Sequence, residues 1–304
     1  MKKFLITGGA GFVGSHLAEE LVKRGNSVTI LDDLNTGKIL NLESIKEKIN
    51  FVNGDIRDVD LLKDICKEKD GIFHQAARAS VQESFIKSDE YIDVNVKGTE
   101  NIFKQAIEYE TKVVYASSSS VYGNPVKLPI KEDAQLNPIN PYAQTKVDKE
   151  KLAVEYAQKG LKVIGMRYFN IFGERQSKEY AGVVKLFLEC IQDKLSPKIN
   201  GDGLQARDFV FVGDVVNANI MAMESDVDHA FFNVGTNTNI SVIELANVMI
   251  KTANLDIKPI FSAALKGDVK ITIADISLIK KSLGWHPTIT IEEWLKQKIS
   301  MQNK

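Results

Sequence analysis

Three side chains could do proton chemistry together: Ser118, Tyr142 and Lys146. Tyr142 and Lys146 lie four apart in a segment from Pro141 to about Gln158 that is predicted to be helical, so they share one face. An ammonium beside a phenol stabilises the phenolate and lowers the tyrosine from its reference pKa of about 10. A base acting on a hydroxyl near neutral pH needs that shift. Ser118 stands in the run Ser117-Ser118-Ser119-Ser120, directly after the strand-like stretch Lys112-Val113-Val114-Tyr115-Ala116. A Tyr–Lys pair at this spacing also occurs on ordinary helices. The hydroxyl cluster at a strand end makes it a candidate site.

What such a base would serve is suggested at the N-terminus. Phe4-Leu5-Ile6-Thr7 reads as a buried strand, Gly8-Gly9-Ala10-Gly11-Phe12-Val13-Gly14 as a tight turn, and Ser15 to Arg24 as a helix with Leu17, Leu21 and Val22 on one face. Gly8, Gly11 and Gly14 are three apart. One permits a turn of unusual φ, one lets the backbone approach a diphosphate, and one lets helix and strand pack closely. The diphosphate would face the free N–H groups and positive dipole end of the helix. A second strand, Ser27 to Leu31, ends in Asp32-Asp33. A carboxylate there, about 20 residues past the glycines, accepts ribose hydroxyls and repels a 2′-phosphate, which favours NAD over NADP. The plainer readings are an ordinary strand-turn-helix and a solvated loop carboxylate.

The rest of the chain must position these groups. Its 304 residues are 44% hydrophobic and 26% charged with a net charge of −1, so nothing argues for nucleic acid or an anionic membrane as partner. Cys66 and Cys190 read as packing residues in a reducing compartment, and His16, His74, His229 and His286 lack ligand spacing, so no metal is expected. With no signal-like or membrane-spanning run, the expected location is cytoplasmic. Further strands are predicted at Phe51-Val52, Gly71 to His74 and Leu161 to Met166. Loops follow two of them: Asn53-Gly54-Asp55-Ile56, where Asp55 could bond an adenine amine and Ile56 stack on the ring, and the small-residue turn Gln75-Ala76-Ala77. A long helix from Glu90 to Tyr109 would carry Asn95 inward, where it serves either cofactor or backbone. The expected fold is α/β: a doubly wound parallel (Rossmann) sheet over residues 1–176, with segments around 208–240 returning to it, and a smaller mixed α/β substrate-binding lobe over 177–304.

With Gly8-x-x-Gly11-x-x-Gly14, Ser118 and Tyr142-x-x-x-Lys146 in place, the chain resembles the extended short-chain dehydrogenase/reductases and, more narrowly, the nucleotide-sugar 4-epimerases. Arg167-Tyr168-Phe169-Asn170, Gly173-Glu174-Arg175-Gln176, Gly201-Asp202-Gly203, Arg207-Asp208-Phe209-Val210 and Gly267-Asp268-Val269 extend the resemblance over nearly the whole chain. It implies NAD contacts from the glycine turn (Gly8, Gly11, Phe12, Val13, Gly14), from Asp32, Asn35, Thr36 and Gly37, and from Asp55 and Ile56. Gln75, Ala76, Ala77, Asn95, Tyr142, Lys146 and Tyr168 are implied for the remainder. For a nucleoside-diphosphate sugar, a UDP-hexose, it implies Ser80, Val81, Ser118, Ser119 and Tyr142 near the sugar. Asn170 and Arg207 are implied for the diphosphate, Val183, Ile199 and Asn200 near the base, and Asp268 and Thr272 as further contacts. A homodimer is also implied.

Departures narrow the resemblance. Sugar 4,6-dehydratases carry an Asp-Glu pair after the catalytic hydroxyl and uronate decarboxylases a Glu; here Ser119 and Ser120 stand there. The family's arginine two residues before Gly267-Asp268 is Leu265, with Lys266 beside it as a point charge. Thr272, four beyond Asp268, is small where an aromatic would restrict the pocket to plain hexoses. With His74-Gln75-Ala76-Ala77 and Ile199-Asn200-Gly201-Asp202-Gly203, it resembles members accepting N-acetylhexosamines. The implied reaction is inversion at C4 of UDP-GlcNAc/UDP-GalNAc, with UDP-Glc/UDP-Gal also possible. Tyr142 would take the C4 proton, directly or through Ser118, hydride would pass to NAD, and the 4-keto sugar would turn before hydride returns. The alternatives are a 4,6-dehydratase or 4-keto-sugar reductase of the same fold, or a non-catalytic NAD-binding regulator.

Overall fold

The computed structural model describes residues 1–176, 182–265 and 269–302. Strands β1 (Lys3–Thr7), β2 (Ser27–Asp32), β3 (Ile49–Asn53), β4 (Gly71–His74), β5 (Val113–Ser118) and β6 (Val163–Tyr168) join His229–Val234 in one parallel sheet. Its order is 229–234, β6, β5, β4, β1, β2, β3. Every residue of β4 and of β6 is buried, as expected for parallel strands covered on both faces. The period of two assigns side chains to the two layers. Phe4 and Ile6 pack with Leu17, Ala18 and Leu21 of helix α1 (Phe12–Lys23), while Leu5 packs with Ile102, Phe103 and Tyr156 on the other face. Strand order reverses between β1 and β4, so the crevice beyond Thr7 and His74 is where such a sheet receives ligands.

A second core is built from Phe172, Phe187, Ile199, Leu245, Met249, Trp294 and Leu295. It is held between helices Val183–Gln192, Val242–Thr252 and Ile291–Gln302, the second opened by a Ser241/Glu244 capping box. The stretch expected as a lobe over 177–304 is interrupted by the segments around 208–240 and again near its end. Strand His229–Val234 pairs with β6, and Ala274, Ile276, Ile279 and Trp285 pack into the core of the large sheet. Trp285 donates its Nε1–H to the Asp214 carbonyl at 2.9 Å, which ties this return to helix Val212–Glu224. Helical spacing alone could not separate residues 274–285 from those of the lobe. No helix among the described residues is long and apolar enough to cross a membrane.

Behind the ends of β5 and β6 lies a buried polar network. Arg167 pairs with Glu150 at 2.8 Å, both side chains 4% exposed. Ser117 donates to the same carboxylate at 2.6 Å, and Arg167 donates to the Tyr122 hydroxyl at 2.7 Å, which in turn donates to Asn233 at 2.7 Å. The network joins β5, β6, strand 229–234 and the helix Pro141–Gln158. Arg167→Met should therefore destabilise the protein by about 3 kcal/mol in denaturant unfolding, because it strands a buried carboxylate. A loss below about 1 kcal/mol would show that the network is not structural.

Candidate active site

A cavity of about 470 Å³ follows the C-terminal edge of the sheet. Asp32, Asp33, Thr36, Asp55 and Ile56 line it on the β2/β3 side. Gly8, Gly11, Phe12, Val13, Gly14, Gln75, Ala76 and Ala77 line its middle, and Ser117, Ser118, Tyr142, Lys146 and Tyr168 its β5/β6 side.

The three glycines have separable duties. Gly8 turns the chain at φ +70°, and a Cβ on it would stand 2.7 Å from the Ala76 nitrogen. A Cβ on Gly14 would lie 2.1 Å from the Gly8 carbonyl oxygen, so its absence is what lets α1 sit on the turn. Gly11 has only the Gly8 oxygen at 3.2 Å and is otherwise open on the side a ligand would use. Helix α1 has no side-chain cap and no acid in its first turn. Its leading N–H groups are therefore free to meet an anion. Asp32, 6% exposed, accepts the N–H groups of Ala10 at 2.9 Å and Leu34 at 2.8 Å. Burial lifts its pKa above the usual carboxylate value while those two bonds oppose the rise. Gly37 crosses directly over it, since a Cβ there would meet Asp32 Oδ1 at 2.6 Å. Asp55 is engaged by Arg57 at 2.6 Å, which holds its carboxyl below the usual range. An uncapped helix, a glycine cradle and a carboxylate at the end of β2 in one cavity fit an NAD.

At the other end the Tyr142 hydroxyl is hydrogen-bonded to Ser118, the last residue of β5. Lys146 donates to the Ala116 carbonyl at 3.1 Å, and its Nζ lies 5.5 Å from the Tyr142 ring centroid. The sequence expectation of a lowered tyrosine pKa is reversed in the protein alone: burial raises it, with the Ser118 bond opposing. The lysine is hydrogen-bonded to a backbone carbonyl rather than to the phenol. Burial brings Lys146 itself down from 10.5 to about 8, with the Glu150 charge opposing.

Several expected contacts are engaged elsewhere. The helix anticipated from Glu90 is broken by a π turn, Asp93–Lys97, that carries Asn95 inward. The Asn95 carboxamide accepts the Arg78 N–H at 2.8 Å and donates to the Arg78 carbonyl at 3.0 Å and to Thr145 at 3.1 Å. It shapes the loop after β4 and does not line the cavity. Tyr168 hydroxyl sits between Gln75 Oε1 (3.0 Å) and Asn219 Oδ1 (2.9 Å). Ser80 caps the short helix Val81–Ser84 through Glu83, Ser119 opens the 3₁₀ turn after β5, and the Asn35 N–H bonds Asp33 at 3.0 Å.

In the second lobe Asn170 starts a strand whose N–H bonds the Asp208 carbonyl at 3.0 Å, and Val183 starts a helix packed on the second core. Ile199 is fully buried in that core. Asn200 accepts from Ser262 at 2.7 Å, and Arg207 donates to the carbonyls of Ala206 at 2.9 Å and Lys270 at 3.1 Å. Thr272 is 5% exposed, its hydroxyl accepting the Asp208 N–H at 3.4 Å, and it is not among the residues that line the cavity. Asp268, with Lys266 and Gly267, lies outside the described residues. Lys38, Asn41, Arg78, Arg175 and Lys185 line the cavity without having been anticipated. Only Arg175 sat in a motif that drew notice.

Residues 4–235 match the model of the NAD dependent epimerase/dehydratase family. The chain belongs to that family, and NAD is its cofactor. The chain is 34% identical to a UDP-N-acetyl-alpha-D-glucosaminuronate decarboxylase of Bacillus cytotoxicus, over 98% of this chain and 97% of the relative. A UDP-glucose 4-epimerase of Thermotoga maritima, solved with UDP-glucose, superposes with a TM-score of 0.93 at 34% identity, covering 98% of this chain and 97% of that one. A UDP-N-acetylglucosamine 4-epimerase of Methanobrevibacter ruminantium, solved with UDP-N-acetylmuramic acid, gives the same TM-score of 0.93 and 34% identity over 98% and 97%.

Two outcomes follow from the site's charges. With Asp32 on the ribose side, NADP should bind at least about tenfold more weakly than NAD in titration calorimetry. Equal affinities would remove that role from Asp32. Lys146 is charged in both folded and unfolded chains below pH 8, yet the fold disfavours that charge. Between pH 8 and 10.5 the unfolded chain binds more protons, so stability rises with pH there. Lys146→Met should thus melt higher than the parent at pH 7 without nucleotide, with the gap closing toward pH 10. A lower melting point at pH 7 would contradict the assignment.

Proposed function

We propose that the protein is a UDP-hexose 4-epimerase that works through a transient 4-keto sugar. One observation carries this reading: the polarity of the cavity. Asp32, Asp33 and Asp55 all lie at the adenosine end, whereas the wall around Ser118, Tyr142 and Lys146 holds hydroxyls and an amine and, among the described residues, no carboxylate. Glu150 is near, but Arg167 and Ser117 occupy it. Eliminating water from a 4-keto hexose asks for a carboxylic acid and base beside C5 and C6, and positions 119 and 120 are serines. Proton removal at one alcohol and its reversal need only what is present.

When bound, NAD supplies a reversible hydride acceptor. Tyr142 takes the proton of the C4 hydroxyl and gives it back, with Ser118 as its hydrogen-bonded partner and relay. In the resting protein Tyr142 is a phenol, raised by burial. The Lys146 ammonium, 5.5 Å from its ring centroid, favours the phenolate as substrate approaches. Inversion further requires that the sugar turn over between the two transfers. Binding energy placed on the nucleotide, remote from C4, permits that. Because Thr272 is not among the residues that line the cavity, we extend the proposed activity to both the N-acetylated and the plain pair.

The test is a panel of UDP-, dTDP-, CDP- and GDP-sugars read by product separation and mass. UDP-Glc/UDP-Gal and UDP-GlcNAc/UDP-GalNAc should interconvert without change of mass. A product lighter by one water, or no turnover of any UDP-hexose, would overturn the reading. Tyr142→Phe should lose at least about 10²-fold in kcat while retaining NAD; near-parental turnover would mean that another group is the base.

A further inference from the structure

We propose that Arg175 binds the cofactor's diphosphate, closing on it from the loop Gly173–Arg175. The inference depends on NAD being the cofactor and not on which sugar is turned over. That loop runs along α1. A Cβ on Gly173 would lie 3.7 Å from the Phe12 ring, His16 Nε2 meets the Glu174 carbonyl at 3.1 Å, and Arg175 Nη2 reaches Glu19 at 2.7 Å. The guanidinium is thus tethered to the same helix whose uncapped N-terminus forms the middle of the cavity wall. Glu19 is held in turn by Ser44, so the tether is fixed at both ends.

Arg175 lines the cavity and adopts φ +66°, a left-handed conformation that few residues other than glycine occupy. Such conformations persist where the surroundings impose them, commonly at ligand clamps. Its second terminal nitrogen, Nη1, is buried and has no hydrogen-bond partner among the described residues. A charged donor buried without an acceptor is costly, and a planar guanidinium fork matches phosphate oxygens. One end of the fork is anchored on Glu19, and the other has no partner among the described residues to hold it away from an anion in the cavity. Of the two diphosphates this enzyme class handles, the cofactor's is favoured because the anchor is on α1. Asn170 and Arg207, implied for the substrate's diphosphate, belong to strands Asn170–Phe172 and Ala206–Arg207 beyond β6.

The experiment uses the full chain stripped of nucleotide, titrated with NAD, ADP, adenosine and UDP. Arg175→Lys keeps a cation for Glu19 and removes the free end of the fork, while Arg175→Gln removes both. In Arg175→Lys, NAD and ADP should bind about tenfold more weakly, the loss of one charge-assisted hydrogen bond. Adenosine, which has no phosphate, and UDP should change by less than about twofold. Arg175→Gln should show at least the same loss for NAD and ADP. Should that variant fail to fold, Arg175→Lys alone carries the decision. Unchanged NAD and ADP affinity in Arg175→Lys would overturn the proposal, as would an equal loss for adenosine. A loss confined to UDP would also overturn it, by assigning the arginine to the substrate.

Discussion

The contact between α1 and the turn that precedes it governs everything at this site. With no side chain on Gly14, the helix settles onto the Gly8 carbonyl, at a distance where a Cβ would be only 2.1 Å away. That closeness aims the helix axis at the crevice beyond the sheet and leaves its first-turn N–H groups without an internal partner. The turn is braced from the neighbouring strand, because the Ala10 N–H is held by Asp32 at the end of β2 and the Gly8 N–H by the Leu31 carbonyl at 2.8 Å. The start of the helix and the Asp32 carboxylate are therefore braced as one unit. Had a larger residue stood at 14, both would move together.

The opposite end of the cavity follows another logic. Lys146 and Lys149 both donate to the Ala116 carbonyl, at 3.1 and 3.4 Å, in an interior that disfavours their charges. Nearby, His74 is fully buried and pushed well below its ordinary pKa by burial, with the two lysines adding to the fall. Its bonds to Thr7 at 2.7 Å and Thr99 at 2.8 Å fix it without any need for charge. The Arg167–Glu150 pair supplies opposing charge close by and is fully hydrogen-bonded. Removing either partner of that pair would leave a buried charge uncompensated. Lys146, by contrast, carries a charge that its burial disfavours, and the helix holds it in place.

Much of this was legible in the chain. The period-two and near-continuous apolar runs identified the strands, because parallel strands covered on both faces leave few alternatives. Gly8, Gly11 and Gly14 were readable since only backbone geometry explains three glycines at that spacing. Ser118, Tyr142 and Lys146 were readable because one helix turn and one strand end bring them together. What was not legible depends on long-range packing. The π turn at Asp93–Lys97 arises within an unbroken amphipathic pattern, so Asn95 pointed inward as expected yet serves the Arg78 backbone. Thr272 and Ile199 match the family's pattern by position, but burial is set by neighbours far away in sequence, such as Asp208 for Thr272. Lys149, on the same face as Lys146 and fully buried, carries no sequence signal, since a lysine on a charged helix reads as solvated.

The loop after β6 joins these two regimes. Glu174 is paired with Lys298 on the last helix while its carbonyl meets His16, and Arg175 is paired with Glu19, so a single short segment ties α1 to the second core. Asp208 makes a comparable clamp further along. Its carboxylate takes the N–H groups of Thr236, Asn237 and Ala274, and burial raises it to about 6. Under the proposed reaction, in which the sugar turns while its nucleotide stays put, the two lobes must hold their relative position through the cycle. Clamps on both flanks of the crevice, at Glu174–Arg175 and at Asp208, meet that need.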